Sequence, residues 1–300
     1  MVSVTNKLVS IIVINWNGIK YTRDCVKFLR TKTSYRPFEI IVVDNGSNAG
    51  DVKELKELHN KKVIDKLILN PGNNGFSGAN NQGVEVADGD YFMLLNNDVD
   101  LTKNWLSTLV SIAEKDKKIG LIGPKITLTH TPNVCFGAGK ITDSGASDFG
   151  YETKRCDVEQ IGGAALMFKR SVLEKIGALD EGFNPAYFEE CDFCLRARKA
   201  GFRVVFAPES EILHFENATL KTLPRKGPFI FMNKNRIRFM LIHFPKFRLL
   251  KAIPYELARI AKSFVQLRPH WLLQAYWTNV KNLGEIINKR QRYKKGNLRP

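Results

Sequence analysis

Five residues, Asn96-Asn97-Asp98-Val99-Asp100, follow directly on an apolar run at 91–95. A buried strand that ends in an Asp-x-Asp pair delivers two carboxylates to the rim of a sheet. In open α/β sheets that rim is where ligands bind. Two hard oxygen ligands there suit Mg²⁺ or Mn²⁺ held against substrate phosphates. The triplet by itself is weak evidence, since roughly one is expected by chance in such a chain. Asp88-Gly89-Asp90 has the same spacing but precedes the strand. Position therefore selects Asp98 and Asp100 as the pair placed for chemistry.

The elements that must position this pair can be read around it. Residues 9–14 form a buried apolar run ending at Asn15-Trp16-Asn17-Gly18, and 39–43 form another ending at Asp44-Asn45-Gly46-Ser47. Helices are expected over 21–30 and 51–59, a third strand over 63–69, and a helix from a Ser77 cap to 86. This βαβα alternation with near-continuous apolar strands predicts a parallel sheet covered by helices on both faces. Asn, Asp and Gly make turns after many strands. Three such clusters on one predicted edge, one carrying the carboxylate pair, favour a ligand site. Farther on, 160–168 reads as a strand whose Gly162-Gly163 pair admits a close approach. A helix over 188–200 is closed by Gly201, and short strands are expected at 203–207 and 211–215.

The charge is uneven. The chain of 300 residues carries net +16, yet residues 1–220 hold 27 Lys/Arg against 28 Asp/Glu. Residues 221–300 hold 19 Lys/Arg against only Glu256 and Glu285. A near-neutral globular part followed by a basic appendage is expected, with a boundary near 220. The core part divides into 1–125 and 126–220. Five cysteines, an odd number, favour reduced thiols and a cytoplasmic setting. Cys191-x-x-Cys194 has no second Cys/His pair at metal spacing to make a zinc site. No signal peptide or run of 18 uncharged apolar residues is visible.

Five segments occur in order: Val13-Ile14-Asn15-Trp16-Asn17, Val42-Val43-Asp44-Asn45-Gly46-Ser47, Asn74-Gly75-Phe76-Ser77-Gly78-Ala79-Asn80, Leu95-Asn96-Asn97-Asp98-Val99-Asp100 and Phe188-Glu189-Glu190-Cys191-Asp192. Together they resemble the motif series of family 2 glycosyltransferases, specifically the rhamnosyltransferase-like and galactofuranosyltransferase-like branch. The resemblance covers roughly residues 8–220. It implies a GT-A fold, a UDP- or dTDP-linked sugar donor, a divalent metal (Mn²⁺ or Mg²⁺), and inversion at the anomeric carbon. By the same resemblance, Asn15, Trp16, Asn17, Asp44, Gly75, Asn80, Asn97 and Asp98 surround the donor, with Asp44 on its nucleoside. Asp98, Asp100 and His214 are the implied metal ligands, Asp100 being the direct one. The implied base is Glu190, with Glu189 as the alternative; the family more often has Asp at that position.

The chemistry is consistent with these parts. A carboxylate of ordinary pKa, near 4.3, cannot ionise a free alcohol and must accept its proton as attack proceeds. The Gln-x-x-Arg-Trp motif of processive synthases is absent, which favours transfer of one or a few sugars. Leu249, Ile253, Leu257, Ile260 and Phe264 recur at helical spacing among cations. Such helices suit an anionic membrane surface, and 289–295 reads as a solvated or lipid-facing run. They could instead pack on the core or bind a phosphate backbone, although no nucleic-acid module is visible and none is expected as partner. The expected protein is therefore a glycosyltransferase on the inner face of the cell membrane. Its acceptor would be a saccharide or lipid-linked saccharide in cell-surface glycan synthesis. The competing class is a non-enzymatic basic RNA- or membrane-binding protein on an α/β scaffold. A dinucleotide oxidoreductase is disfavoured, since the first strand lacks a Gly-x-Gly-x-x-Gly turn.

Overall fold

A computed structural model describes residues 7–150, 152–215 and 224–300, with the side chains of 132–135 outside that description. The boundary expected near 220 also lies outside the described residues. The first part alternates β1 (Val9–Asn15), α1 (Ile19–Lys32), β2 (Phe38–Asp44), α2 (Ala49–Asn60), β3 (Lys66–Leu69), α3 (Gly75–Glu85) and β4 (Tyr91–Leu95). Then come β5 (Val99–Leu101), α4 (Trp105–Lys115), β6 (Ile119–Leu128), β7 (Thr131–Phe136), β8 (Ala138–Ile141), β9 (Ser147–Gly150), β10 (Cys156–Asp157), β11 (Gln160–Ile161) and β12 (Ala165–Lys169). The chain continues through α5 (Arg170–Ile176), α6 (Glu189–Lys199) and β13 (Arg203–His214). The last helices are α7 (Lys226–His243), α8 (Lys246–Val265), α9 (Pro269–Lys281) and α10 (Leu283–Lys294).

The main sheet runs β10-β13-β6-β12-β4-β1-β2-β3, with β5 paired to β13 and β7 to β6. β3, β2, β1 and β4 are all parallel, so their C-terminal ends share one edge as expected. β12 enters antiparallel between β4 and β6. Alternation along the strands sorts side chains onto two cores. Val9, Ile11 and Val13 pack with Ile40, Val42, Met93 and the inner faces of α1 and α4. Ile12, Ile41, Phe92 and Leu94 pack with α3, α5 and α6.

Several sequence expectations are corrected. The third strand begins at Lys66 instead of 63, because Lys62 takes a left-handed turn and Val63 and Ile64 donate back to Leu58 O. Ser77 does not cap α3; it is buried in the first turn and its hydroxyl has no partner. The strand expected at 160–168 breaks at the glycine pair, β11 joining a separate three-stranded sheet with β8 and β9. The two strands expected at 203–215 form one, β13, interrupted by a bulge after Ala207. β6 runs straight through the division at 125/126, so the two halves share a strand.

The basic C-terminal region does not stand apart. Phe239, Met240 and Ile242 of α7, with Ile286 and Tyr293 of α10, are buried in the second core, each such side chain contributing about 1.5–3 kcal/mol. Its cations turn inward onto core acids. Lys289 bonds Asp180 at 2.6 Å, Arg238 lies 3.6 Å from Asp180, and Arg248 reaches Asp143 at 3.2 Å. Lys289 and Tyr293 are thus neither solvated nor lipid-facing, against the reading of 289–295. A fully buried joint lies under α6. Fully buried Asp192 bonds Arg196 at 2.6 Å and His243 of α7 at 2.7 Å. Among the described residues no helix is long and apolar enough to cross a membrane.

Asp192 should therefore be a stability determinant, since removing one member of a buried ion pair strands its partner. Asp192→Ala is expected to lower the unfolding free energy by about 3–5 kcal/mol in denaturant titrations. The Arg196 charge and then the hydrogen bond with His243 hold the Asp192 carboxyl below its usual range against the opposing effect of burial, and burial lowers His243. In both cases the unfolded chain binds more protons. Stability in the wild type should fall as pH drops below about 6.5 and again below about 4.

Candidate active site

The edge formed by β1, β2 and β4 is organised by Asn15, which is fully buried. Its Nδ2 donates to Asp44 Oδ1 at 2.9 Å, Ser47 Oγ at 3.0 Å and Asp51 Oδ2 at 3.2 Å. Its Oδ1 accepts from Thr22 Oγ1 at 2.6 Å, and that hydroxyl accepts from Asn97 Nδ2 at 2.9 Å. Asp44 is fully buried as well, and its second oxygen accepts from Ser47 N. Asn15, Asp44 and Asn97 thus form an internal frame. Half-buried Trp16 and exposed Asn17 are what this loop presents outward. Asn17 has φ 49°, a region Asn tolerates well, and its amide is anchored on Ser47 Oγ at 2.8 Å.

A second frame centres on Asn45. It bonds Asn73 and Gly75 O through Nδ2 and receives Asn74 N on Oδ1. Gly75 has φ +75°, and a Cβ there would fall 2.0 Å from Asn184 Oδ1. Only glycine fits this approach. Beside it, Phe76 N donates to Pro185 O at 2.7 Å. Asn80 is buried and turns back to Phe76 O, holding the same turn. The start of α3 is thereby joined to the segment that precedes α6.

Asp98 and Asp100 part company. Asp98 lies in the turn after β4 and meets His214 Nε2 at 2.9 Å, with Asn96 Nδ2 at 3.4 Å from the same nitrogen. Asp100 is in β5, opposite Leu213, and its carboxylate is engaged by Lys32 of α1 and by Leu101 N. The three implied ligands are therefore not gathered at one point. Among the described residues no three His, Cys, Asp or Glu side chains are grouped to hold a metal unaided. The Asp98–His214 pair nevertheless fits a cation that takes its other ligands from phosphates. His214 is buried, and its Nδ1 has no hydrogen-bond partner. Burial, then the charges of Asp98 and Asp100, raise the Cys25 thiol, so both carboxylates still act on this region.

Across from this pair, α6 opens with Glu189 and Glu190. The chain enters it through Tyr187 (φ 81°) and Phe188 (φ 75°), left-handed conformations that cost non-glycine residues about 1–3 kcal/mol each. The Glu190 carboxyl lies 3.6 Å from where a Cβ on Gly163 would be. The next residue, Ala164, accepts from Asn96 N at 2.9 Å. Glu190 and the Asp98–His214 pair are thus separated by the short Gly163-Ala164 link and Asn96. Burial pushes the Glu190 carboxyl up to about 7. Glu189 is also raised, by its own burial and then by the Glu190 charge, and its buried Oε2 has no hydrogen-bond partner among the described residues. The two titrate as a pair. Glu190 is the partly exposed member of the pair, Glu189 the buried one.

Sequence reasoning missed Thr22, Asn45, Ser47 and Asp51 as members of the frame and Lys32 as the partner of Asp100. Asn45 and Ser47 lie inside a recognised cluster, where they look like ordinary turn formers. Lys32 carries no sequence signal, being one cation among many at a helix end.

The description "Glycosyl transferase family 2" matches residues 10–177. An O-antigen biosynthesis protein of Myxococcus xanthus is 27% identical over 225 residues, 70% of this chain and 17% of that protein. A low-salt glycan biosynthesis hexosyltransferase of Haloferax volcanii is 27% identical over 205 residues, 65% of this chain and 63% of that one. The chain thus spans less than two thirds of either relative. Among solved structures, GalNAc-T7 with UDP, GalNAc and Mn²⁺ aligns at TM-score 0.67 and 17% identity, covering 81% of this chain and 49% of that one. A mannosyltransferase of Pyrobaculum calidifontis with GDP-Man and Mn²⁺ aligns at TM-score 0.54 and 15% identity, covering 94% and 76%. These likenesses show the fold, a GT-A architecture extended by C-terminal helices.

Proposed function

The chain belongs to glycosyl transferase family 2, and from that premise we propose that it is an inverting glycosyltransferase with Glu190 as base. The proposed donor is a UDP- or dTDP-linked sugar, rhamnose being the first to test. The observation that carries this reading is the placement of Glu190 across Gly163-Ala164 from the Asp98–His214 pair. Half-buried Trp16 and exposed Asn17 are available to the nucleoside. Asp44, being buried, would hold their loop in place and leave direct contact to them.

The acceptor hydroxyl oxygen forms the new bond to the anomeric carbon, and its proton passes to a Glu190 carboxylate oxygen. The bond from the anomeric carbon to the β-phosphate oxygen breaks, and the nucleoside diphosphate leaves with the electron pair. A desolvated carboxyl is a stronger base than one near 4.3, which favours late proton transfer. Asp98 and His214 would hold Mn²⁺ or Mg²⁺, whose positive charge offsets that gathering on the leaving diphosphate. Asp100 serves instead to fix β5 against α1.

The base must be ionised, so the transfer rate should rise with pH to a plateau with a midpoint near 7. In Glu190→Gln the rate should fall about 10²–10⁴-fold with UDP affinity unchanged; wild-type turnover would remove Glu190 from this role. For the cation, calorimetric titration of Mn²⁺ in the presence of UDP should lose its binding heat in Asp98→Asn and keep it in Asp100→Asn. The reverse pattern would restore Asp100 as the ligand.

The acceptor is proposed to be a saccharide or lipid-linked saccharide at the cytoplasmic face of the membrane, reached through the outer face of α8. Leu250, Leu257, Phe264 and Val265 there are 60–83% exposed, and Lys246, Lys251 and Lys262 are exposed on the same helix. An apolar stripe flanked by cations suits an anionic bilayer surface. The protein should sediment with phosphatidylglycerol-containing vesicles, less with pure phosphatidylcholine, and not at all as Leu250→Asp/Leu257→Asp. Equal sedimentation of that variant would refute the surface.

A further inference from the structure

The segment that carries the chain into Glu189 and Glu190 is held from outside by the C-terminal helix α7. Asn235 of α7 is fully buried. Its Nδ2 donates to Ala186 O at 2.8 Å, Tyr187 O at 3.0 Å and Phe183 O. Three converging carbonyls define which end of the amide faces them, since the oxygen would be repelled there. The other end, Oδ1, is buried with no hydrogen-bond partner among the described residues. Next to it, Lys234 bonds Asn184 O, and Arg238 packs where a Cβ on Gly182 would sit. Two consecutive left-handed non-glycine residues persist only where their surroundings over-determine them. Here the surroundings are the amide of Asn235.

We infer that Asn235 is a positioning residue for transfer, holding the Phe183–Tyr187 carbonyls so that Tyr187 and Phe188 keep the backbone that aims Glu190. This rests on the reading of Glu190 as base. Asn235 touches no reacting atom, and Asn15 and Asp44, which hold the loop offered to the nucleoside, bond to other elements. Its loss should therefore slow the chemical step without weakening donor binding. A misplacement of about 1 Å in a reacting group reduces rate by about 100-fold.

The experiment compares Asn235→Ala and the milder Asn235→Ser with Asn279→Ala in the full chain. Asn279 is a buried amide of α9 that bonds Lys234 O and its own helix at Ala275 O, making a purely structural control. Well below each variant's melting temperature, kcat should drop about 100-fold in Asn235→Ala and less in Asn235→Ser. UDP affinity should stay within about twofold, and Asn279→Ala should keep wild-type kcat. Equal kcat in all three variants, or parallel loss of kcat and UDP affinity, would overturn the inference. Should Asn235→Ala prove insoluble, Asn235→Ser with unchanged kcat is equally decisive against it. Glu190→Gln run alongside separates the two claims. If it is inactive while Asn235→Ala is normal, only the positioning role fails; if it is active, the base assignment fails first.

Discussion

A carboxyl becomes a stronger base where protein replaces part of the surrounding water, and that constraint governs Glu190, the proposed base. Desolvation raises its pKa toward the working range. The same desolvation destabilises the ionised form, so the group must be held in place by other means. Left-handed Tyr187 and Phe188 turn the chain into α6, Gly163 leaves room beside the carboxyl, and buried Glu189 occupies the dry side. Each is unfavourable or unremarkable alone. Together they put one carboxyl at the boundary between core and solvent.

The basic C-terminal region is folded against the same domain. Read as a charge count, 221–300 looks like a solvated appendage. In three dimensions its cations are divided. Arg236, Arg238 and Lys289 are buried and pair with Glu256, Glu285 and Asp180, while Lys246, Lys251 and Lys262 of α8 remain outside. The inward set belongs to α7 and α10, which brace the segment before Glu189. The outward set shares α8 with the exposed apolar stripe. Composition gives the sum of two populations with opposite roles.

The parallel strands β1–β4, their shared polar edge and the helix carrying the two glutamates were legible because short near-continuous apolar runs and a Gly201 stop are local signals. The site was legible as a set of candidates, not as a geometry. Asp98 and Asp100 have identical chemistry and a spacing that would place them on one face of a regular strand. Asp98, however, precedes β5 and faces His214 of β13, while Asp100 lies within β5 and meets Lys32 from α1. Both partners come from distant parts of the chain. Asp44 shows the same limit, since a strand-end acid reads identically whether it faces ligand or, as here, a buried Asn15. Asn235 had no signal at all, because its role exists only through carbonyls some 50 residues away.

The decisive question is whether the cation site and Glu190 face one space. Crystals grown with Mn²⁺ and UDP, measured for anomalous scattering, answer it most directly. The expected result is a manganese peak about 2.0–2.6 Å from Asp98 and His214, with diphosphate density beside it and Glu190 facing that density across Gly163. A peak coordinated by Asp100 alone, or diphosphate on the far side of the sheet edge from Glu190, would contradict it.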